Sequence, residues 1–399
     1  MACSPTPTRA GRKPEVIGIL GGGQLARMLA LAGTPLGLRF KVLDPSPDAP
    51  AAHVAEHVQG AYDDEDALRR FAHGCSVVTF EFENVPATAA QWLLDHVRVA
   101  PSPRALAIGQ DRKSEKQLFE RVGMAVPTYR LADTREQLHA AVATVGAPCV
   151  VKTRRLGYDG KGQARLKPAT DLDAAVDRAF DDLRPAECGG LIVEAFVPFE
   201  REFSVIASRS SRKEVAVYPL VENEHQHGIL HRSRAPAPDL DPHMQKQAEE
   251  FARALLEELD YSGTLAVELF VSNGKLLANE MAPRVHNSGH WTIEGSACSQ
   301  FENHLRAILG LPLGSAAMAG GGYAAMVNLI GSMPARDDLL AIPGVHAHCY
   351  SKARRPGRKV GHATVVGNDR AHVNATVAQV ERLALQCATA KNEDWAVDG

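Results

Sequence analysis

Residues 263–280 read GTLAVELFVSNGKLLANE. Two apolar runs flank Asn273-Gly274, a dipeptide suited to the tight turn of a β-hairpin. Folded that way, the segment places Glu268 and Glu280 on paired strands, with Asn279 beside them. Glu268 lies inside an apolar run, where an unpaired charge is costly. A divalent cation that bridges phosphates takes hard oxygen ligands from one or two carboxylates. Glu268 and Glu280 are therefore candidate ligands for magnesium or manganese. The plainer reading is two acids on the solvated face of a hairpin.

Immediately downstream, residues 281–291 (MAPRVHNSGHW) gather Arg284, His286, Asn287, Ser288 and His290 on a loop. A phosphorylated intermediate and its acceptor would meet on this loop, with Arg284 as a candidate catalytic cation. No Gly-x-Ser-x-Gly elbow surrounds Ser288, so it does not read as a nucleophile.

Upstream, residues 148–152 (PCVVK) read as a strand carrying Lys152 among apolar neighbours. The stretch Gly157, Tyr158, Asp159, Gly160, Lys161, Gly162, Gln163 follows. Its three glycines let backbone approach phosphates closely, and Lys161 adds a cation. The GxxxxGK[ST] pattern is absent, so this is not a P-loop; taken alone, Asp159-Gly160 reads as a hairpin turn. Residues 191–196 (LIVEAF) form another strand, with Glu194 near its end, and 202–207 and 214–218 alternate like antiparallel strands. Glu194 and Glu202 suit hydrogen bonds to an adenine amino group or a ribose. Residues 101–104 and 107–116 read as a loop running into a charged helix that carries on through Val122, with Arg112, Lys113 and Lys116 on a solvated face. Residues 222–234 hold three histidines in a spacing that matches no common zinc pattern, and read as a loop beside the nucleotide.

The N-terminal part alternates strands and helices. VIGIL (16–20), Gly21–Gly23 and QLARMLAL (24–31) make strand, glycine loop and helix. FKVL (40–43) ends at Asp44, and SVVTF (76–80) is followed by Glu81, Glu83 and Asn84. Gly21-x-Gly23-x-x-Ala26 with Asp44 fits a dinucleotide fingerprint, but such a loop holds any phosphate. Taken alone, the segment reads equally well either way. Near the other end, residues 301–309 form an amphipathic helix and 320–330 a strand. Lys352–Lys359 place five cations in eight residues between two short strands. That loop suits a phosphate; it lacks the interleaved aromatics of an RNA-binding surface. The last helix is expected over 373–385, with a frayed tail beyond Ala388.

The bulk properties agree with this reading. The chain of 399 residues is long enough for two or three domains, and its net charge of −3 shows no overall basic excess for nucleic acid or membrane. No apolar run approaches the ~20 residues of a membrane span. The seven cysteines are scattered without CxxC spacing, which fits reduced thiols and a cytoplasmic setting. Residues 1–13 read as a disordered leader.

The strings GGGQLARM, TFEFENVP, VVKTRRLGYDGKGQ, ANEMAPRVHNSGHWT and KARRPGRKVGH together resemble the 5-(carboxyamino)imidazole ribonucleotide synthases, ATP-grasp ligases of purine biosynthesis. The likeness runs from about Val16 to about Glu381. It implies a Rossmann-like domain over 14–110, an ATP-grasp domain over 111–315 with a lid over about 125–192, a small β-rich domain over 316–390 and a tail over 391–399. By resemblance, Arg112, Lys152 and the loop from Gly157 to Gln163 would hold ATP phosphates. Glu194, Ala195, Phe196 and Val197 would line the adenine pocket, with Glu202 on the ribose and His225 nearby. Asn279 would join Glu268 and Glu280 at magnesium. Gln24, Leu25, Glu83, His286, Asn287, Lys352, Arg358 and Lys359 would face aminoimidazole ribonucleotide.

Asp159, Lys161 and Arg284 would serve the chemistry: bicarbonate attacks ATP to give carboxyphosphate, which carboxylates the substrate amine. The family implies a homodimer. Ala26 departs from the family's glycine, leaving the turn intact and tightening the packing beside the substrate. Competing expectations are an NAD-dependent oxidoreductase, a sibling ATP-grasp enzyme (formate-dependent glycinamide ribonucleotide transformylase or a biotin-type carboxylase) and a non-catalytic ATP-binding regulator.

Overall fold

The computed structural model describes residues 15–157 and 162–395. Its N-terminal layer is a parallel sheet in the order Glu56–Gln59, Arg39–Asp44, Val16–Leu20, Val77–Phe80. The central Val16–Leu20 strand is apolar throughout because helices and loops cover both faces. Its carboxyl end, and that of Val77–Phe80, deliver Gly21–Gly23 and Glu81–Glu83 to one edge, the usual ligand edge of an open α/β sheet.

A second sheet is antiparallel, in the order Tyr129–Ala132, Leu191–Ala195, Cys149–Thr153, Gln163–Leu166. Helices Arg135–Val145 and Leu172–Leu183 pack on it through Leu138, Val142, Val176 and Ala179. Thr134 and Gln137 close the first helix with a reciprocal capping box, which fixes its start.

The third sheet has nine strands. Lys275–Ala282 pairs with Gly263–Ser272, then come Arg201–Arg209, Val221–Gln226, Ile229–Ala235, Tyr323–Ile330, Lys359–Gly367 and Val345–Cys349, with Val215–Val217 beside Arg201–Arg209. Strands on either side of residue 316 thus share one sheet, joined where Ile229–Ala235 pairs with Tyr323–Ile330. The fold combines an N-terminal Rossmann-like parallel layer, a central antiparallel region and a β-rich C-terminal region.

Three local readings change. Residues 222–234 form a hairpin rather than a loop, with His227 at φ 53° and Gly228 at φ 78° making its turn. Pro103–Gly109 is helical where a loop is expected, because Ser102 caps it and Pro103 occupies its first turn. The last helix runs Arg370–Trp395, past the expected start of the tail. Val373, Val377 and Val380 anchor one stripe, and no Gly or Pro interrupts the helix before Trp395.

Candidate functional site

The hairpin of residues 263–282 pairs Glu268 directly with Glu280, and the register shifts between Glu268 and Leu269. Burial, then the facing Glu280, pushes the Glu268 carboxyl up to about 7. Burial works on Glu280 too, but Arg112 and Lys152 outweigh it and hold that carboxyl below the usual range. Arg112 Nη1 lies 3.0 Å from Glu280 Oε2. Beside them, Asn279 Oδ1 is shielded from solvent and accepts no hydrogen bond from any of the described residues. Two crowded carboxylates and an amide oxygen without a donor make a hard-oxygen set, which fits a cation of the magnesium class. Among the described residues, no three or more His, Cys, Asp or Glu converge as a metal site. His225 turns to Glu202 and His231 to Glu381, so the histidines of the 221–235 hairpin diverge.

The nucleotide-side groups meet the same hairpin. On the antiparallel sheet Lys152 reaches Glu194 at 2.7 Å. Burial drives Glu194 upward, yet Lys152 and Lys116 together bring it down to about 2, so it stays ionised. Lys116 is fully buried and donates to Asn279 O at 2.8 Å, with its ammonium 3.7 Å from Glu194 Oε1. The solvated-face reading of Lys116 is thereby corrected. Arg112, Glu115, Lys116 and Phe119 form one stripe of the Arg112–Arg121 helix, and that stripe faces inward. Glu115 accepts from Met281 N at 2.6 Å and ties the stripe to the strand after Glu280.

Glu202 accepts from His225 at 2.5 Å, and this bond raises the imidazole against the effect of burial. Phe199 stacks on Phe270 at 4.6 Å, and Phe196, directly after the Leu191–Ala195 strand, is exposed. Ala195 and Phe196 spend their N–H groups on Thr128 O and Pro148 O, while Val197 O accepts from Phe199 N. Gln163 pairs with Lys152 across its hairpin, and Gly162, at φ 71°, accepts from Thr153 N. Gly157 ends the described approach to the glycine loop. Tyr158, Asp159, Gly160 and Lys161 lie outside the described residues.

On the far side of the hairpin, Arg284 grips Glu83 with two parallel hydrogen bonds, one of them 2.9 Å. Burial alone would raise Glu83; Arg284 holds it low. Burial, then the cations Arg284 and Lys359, lowers His286 to about 3, so its ring is neutral. Its Nδ1 accepts from Ser288 N at 3.3 Å, which leaves the proton on Nε2, 3.5 Å from Glu268. Asn287 and Asn328 exchange reciprocal amide bonds of 2.7 and 3.1 Å. Gln24 and Lys352 hydrogen-bond across nearly the whole length of the chain. Arg358 donates to Ala353 O at 3.3 Å, and Lys359 opens the Lys359–Gly367 strand. Leu25 instead buries its side chain in the core.

The N-terminal glycine loop is occupied by the protein itself. Gly23 N and Ala26 N donate to Glu81 at 2.5 and 3.1 Å, and Gly22 N donates to Asp44 at 2.8 Å. A Cβ at Gly23 would collide with the Glu81 carboxylate. These glycines admit two internal carboxylates where a dinucleotide loop would admit a pyrophosphate, which removes the oxidoreductase reading. Glu81, to which the resemblance gives no role, closes this loop from its place immediately after the Val77–Phe80 strand, the sheet edge at which the sequence already puts it.

Comparison with known proteins points the same way. A ribonucleotide synthetase preATP-grasp domain profile matches residues 15–110, an ATP-grasp domain profile 117–301, and a phosphoribosylaminoimidazole carboxylase C-terminal domain profile 324–376. N5-carboxyaminoimidazole ribonucleotide synthase of Pseudomonas aeruginosa is 49% identical, covering 92% of this chain and 99% of its own. The crystal structure of the synthetase from Thermus thermophilus superposes with TM-score 0.85 at 51% identity, over 92% of this chain and 98% of the other. The Aspergillus clavatus synthase in complex with ADP and 5-aminoimidazole ribonucleotide gives TM-score 0.84 at 31% identity, over 94% and 99%.

Proposed function

The chain belongs to the N5-carboxyaminoimidazole ribonucleotide synthase family of ATP-grasp ligases, and we propose that the cleft around Glu268 and Glu280 is where it carboxylates aminoimidazole ribonucleotide at the cost of ATP. The observation that carries the placement is the pairing of those two acids beside Asn279, with Arg112, Lys116 and Lys152 converging from the nucleotide side.

In this reading bicarbonate attacks the γ-phosphorus of ATP, ADP leaves, and carboxyphosphate forms. The exocyclic amine of the ribonucleotide then takes the carboxyl carbon, with release of phosphate and a proton. Lys152 and Arg112 orient the phosphates and neutralise charge as it shifts to the leaving oxygen. Glu268, Glu280 and Asn279 would hold Mg²⁺ or Mn²⁺, which when bound supplies further neutralisation of the phosphoryl oxygens. Asp159 and Lys161 belong to the same proposal as catalytic groups of the glycine loop. Glu202 and His225 sit where a ribose would be held, and Glu194 to Val197 form the adenine edge.

The neutral imidazole of His286 donates from Nε2 on the acceptor side. Arg284 holds Glu83 ionised, so Glu83 can accept from the exocyclic amine of the substrate. Gln24, Asn287, Lys352, Arg358 and Lys359 complete the ribonucleotide side, with the cations suited to its 5′-phosphate. A homodimer and a cytoplasmic location are part of this reading and rest on family membership. No helix among the described residues is long and apolar enough to cross a membrane.

The test is ADP release. Aminoimidazole ribonucleotide with bicarbonate should drive it, and formate or NAD should not. ADP release that ignores the ribonucleotide would remove the assignment.

A further inference from the structure

Residues 110–112 send three consecutive side chains in three directions. Gln110 Nε2 donates to Glu83 O at 2.6 Å and Val85 O at 2.8 Å, while its Oε1 accepts from Arg155 Nη2 at 2.9 Å. Asp111 takes both hydrogen bonds of the Arg154 guanidinium, at 3.1 and 2.5 Å. Arg112 reaches Glu280, and its own N–H donates to Arg154 O at 3.1 Å. One turn of chain thus touches the substrate-side loop, the strand end that enters the glycine loop, and the acid pair.

We propose that Gln110 is a positioning residue that keeps the Glu83 loop in register with the nucleotide-side sheet, so that phosphoryl transfer proceeds in step with acceptor binding. The inference rests on the cleft assignment above. Its basis is the saturation of one buried carboxamide. Both N–H groups go to backbone carbonyls of the segment that carries Glu83, and its oxygen goes to the residue next to Arg154. A carboxamide can give two hydrogen bonds to one segment and receive one from another in a fixed plane. Glu83 cannot slide along Arg284 without breaking two of these bonds. Arg155 cannot leave without stripping Gln110 of its only side-chain donor among the described residues. Among the described residues, the side-chain hydrogen bonds of the parallel Asp111–Arg154 pair stay between the 111–113 turn and the sheet edge, so the hydrogen-bonded link to the Glu83 segment runs through Gln110.

The test compares Gln110→Met, Arg155→Met and the double variant in the full chain. It measures ADP formed per carboxylated product, KM for the ribonucleotide, and thermal midpoint. Gln110→Met should raise that KM about tenfold, the scale of one or two lost hydrogen bonds, and lift the ADP-to-product ratio above that of the parent. Arg155→Met should do the same to a smaller degree, and the double variant should match Gln110→Met, since the two act through one contact. A ratio that stays at the parental value while only the melting point falls would reduce Gln110 to a structural role and overturn the proposal. Arg155 is exposed, so its variant folds and reads out the ratio even if Gln110→Met does not. A parent protein that makes no carboxylated product would instead defeat the function, a separate and distinguishable result.

Discussion

Glu268 stands opposite Glu280 across one hairpin, and the strand register slips by one residue immediately after Glu268. Like charges directly opposite are destabilising, so the pair is kept for what it holds. Replacing Glu268 with Gln should cut ADP release by at least about a hundredfold, the scale of one preorganised electrostatic contact. The same change relieves repulsion, so the melting point without nucleotide should not fall. A variant that loses stability and activity in proportion would make the pair architectural.

Lys116 is buried without solvent contact and binds the carbonyl of Asn279. Lys116→Met keeps the aliphatic bulk and removes the charge. The KM for ATP should rise about tenfold or more, as for loss of a charged hydrogen bond, with the KM for bicarbonate little changed. Initial-rate kinetics over both substrates decide this.

The Arg284–Glu83 pair gives a stability prediction. Arg284→Met leaves the half-buried Glu83 without its partner and should cost about 2 kcal/mol. The double variant with Glu83→Gln should recover most of that loss while remaining inactive. Urea melts of the three variants test the recovery; failure of the double variant to regain stability would place the cost elsewhere.

His304 sets a pH limit. Its Nδ1 accepts from Thr264 N at 3.1 Å and its Nε2 meets Thr79 at 2.8 Å, so the neutral ring is fully used, and burial lowers it to about 3. The unfolded ring titrates near 6.5. Between those values the unfolded chain binds the extra proton, so stability is complete above about 6.5 and falls as pH drops. One such ring removes about 2 kcal/mol by pH 5, and His290 and His362, also lowered by burial, act in the same direction. Denaturant midpoints at pH 7.5 and 5 should show the loss, and His304→Gln should flatten it.

The hairpin is legible in the sequence because its signal is local. Asn273-Gly274 names the turn and puts both acids on paired strands, but regular pairing from that turn would set Asn279 opposite Glu268; the one-residue slip that brings Glu280 there is not written in the local pattern. The strand carrying Lys152 and the antiparallel run after Glu202 are readable for the same reason. Lys116 escapes such a reading because charge on a helix is solvated by default. Only the stripe shared with Phe119 shows that this face turns inward, and the groups that neutralise it, Glu194 and the Asn279 carbonyl, come from distant strands. The glycine fingerprint misleads for a related reason. Glycines report close approach of something, and the sequence does not say that the visitor is Glu81 from another strand. The pairing of Ile229–Ala235 with Tyr323–Ile330 depends on contacts far apart in the chain, which no local pattern encodes.

That pairing has a practical consequence for anyone dividing the protein. Trimming the chain before Tyr323 would not free a self-sufficient catalytic fragment. It would strip the neighbour from Ile229–Ala235 and leave a raw row of unsatisfied amides and carbonyls, a template for clumping with other copies. Expression of such a fragment should yield inclusion bodies, and restoring the missing strands as a separate peptide should rescue solubility.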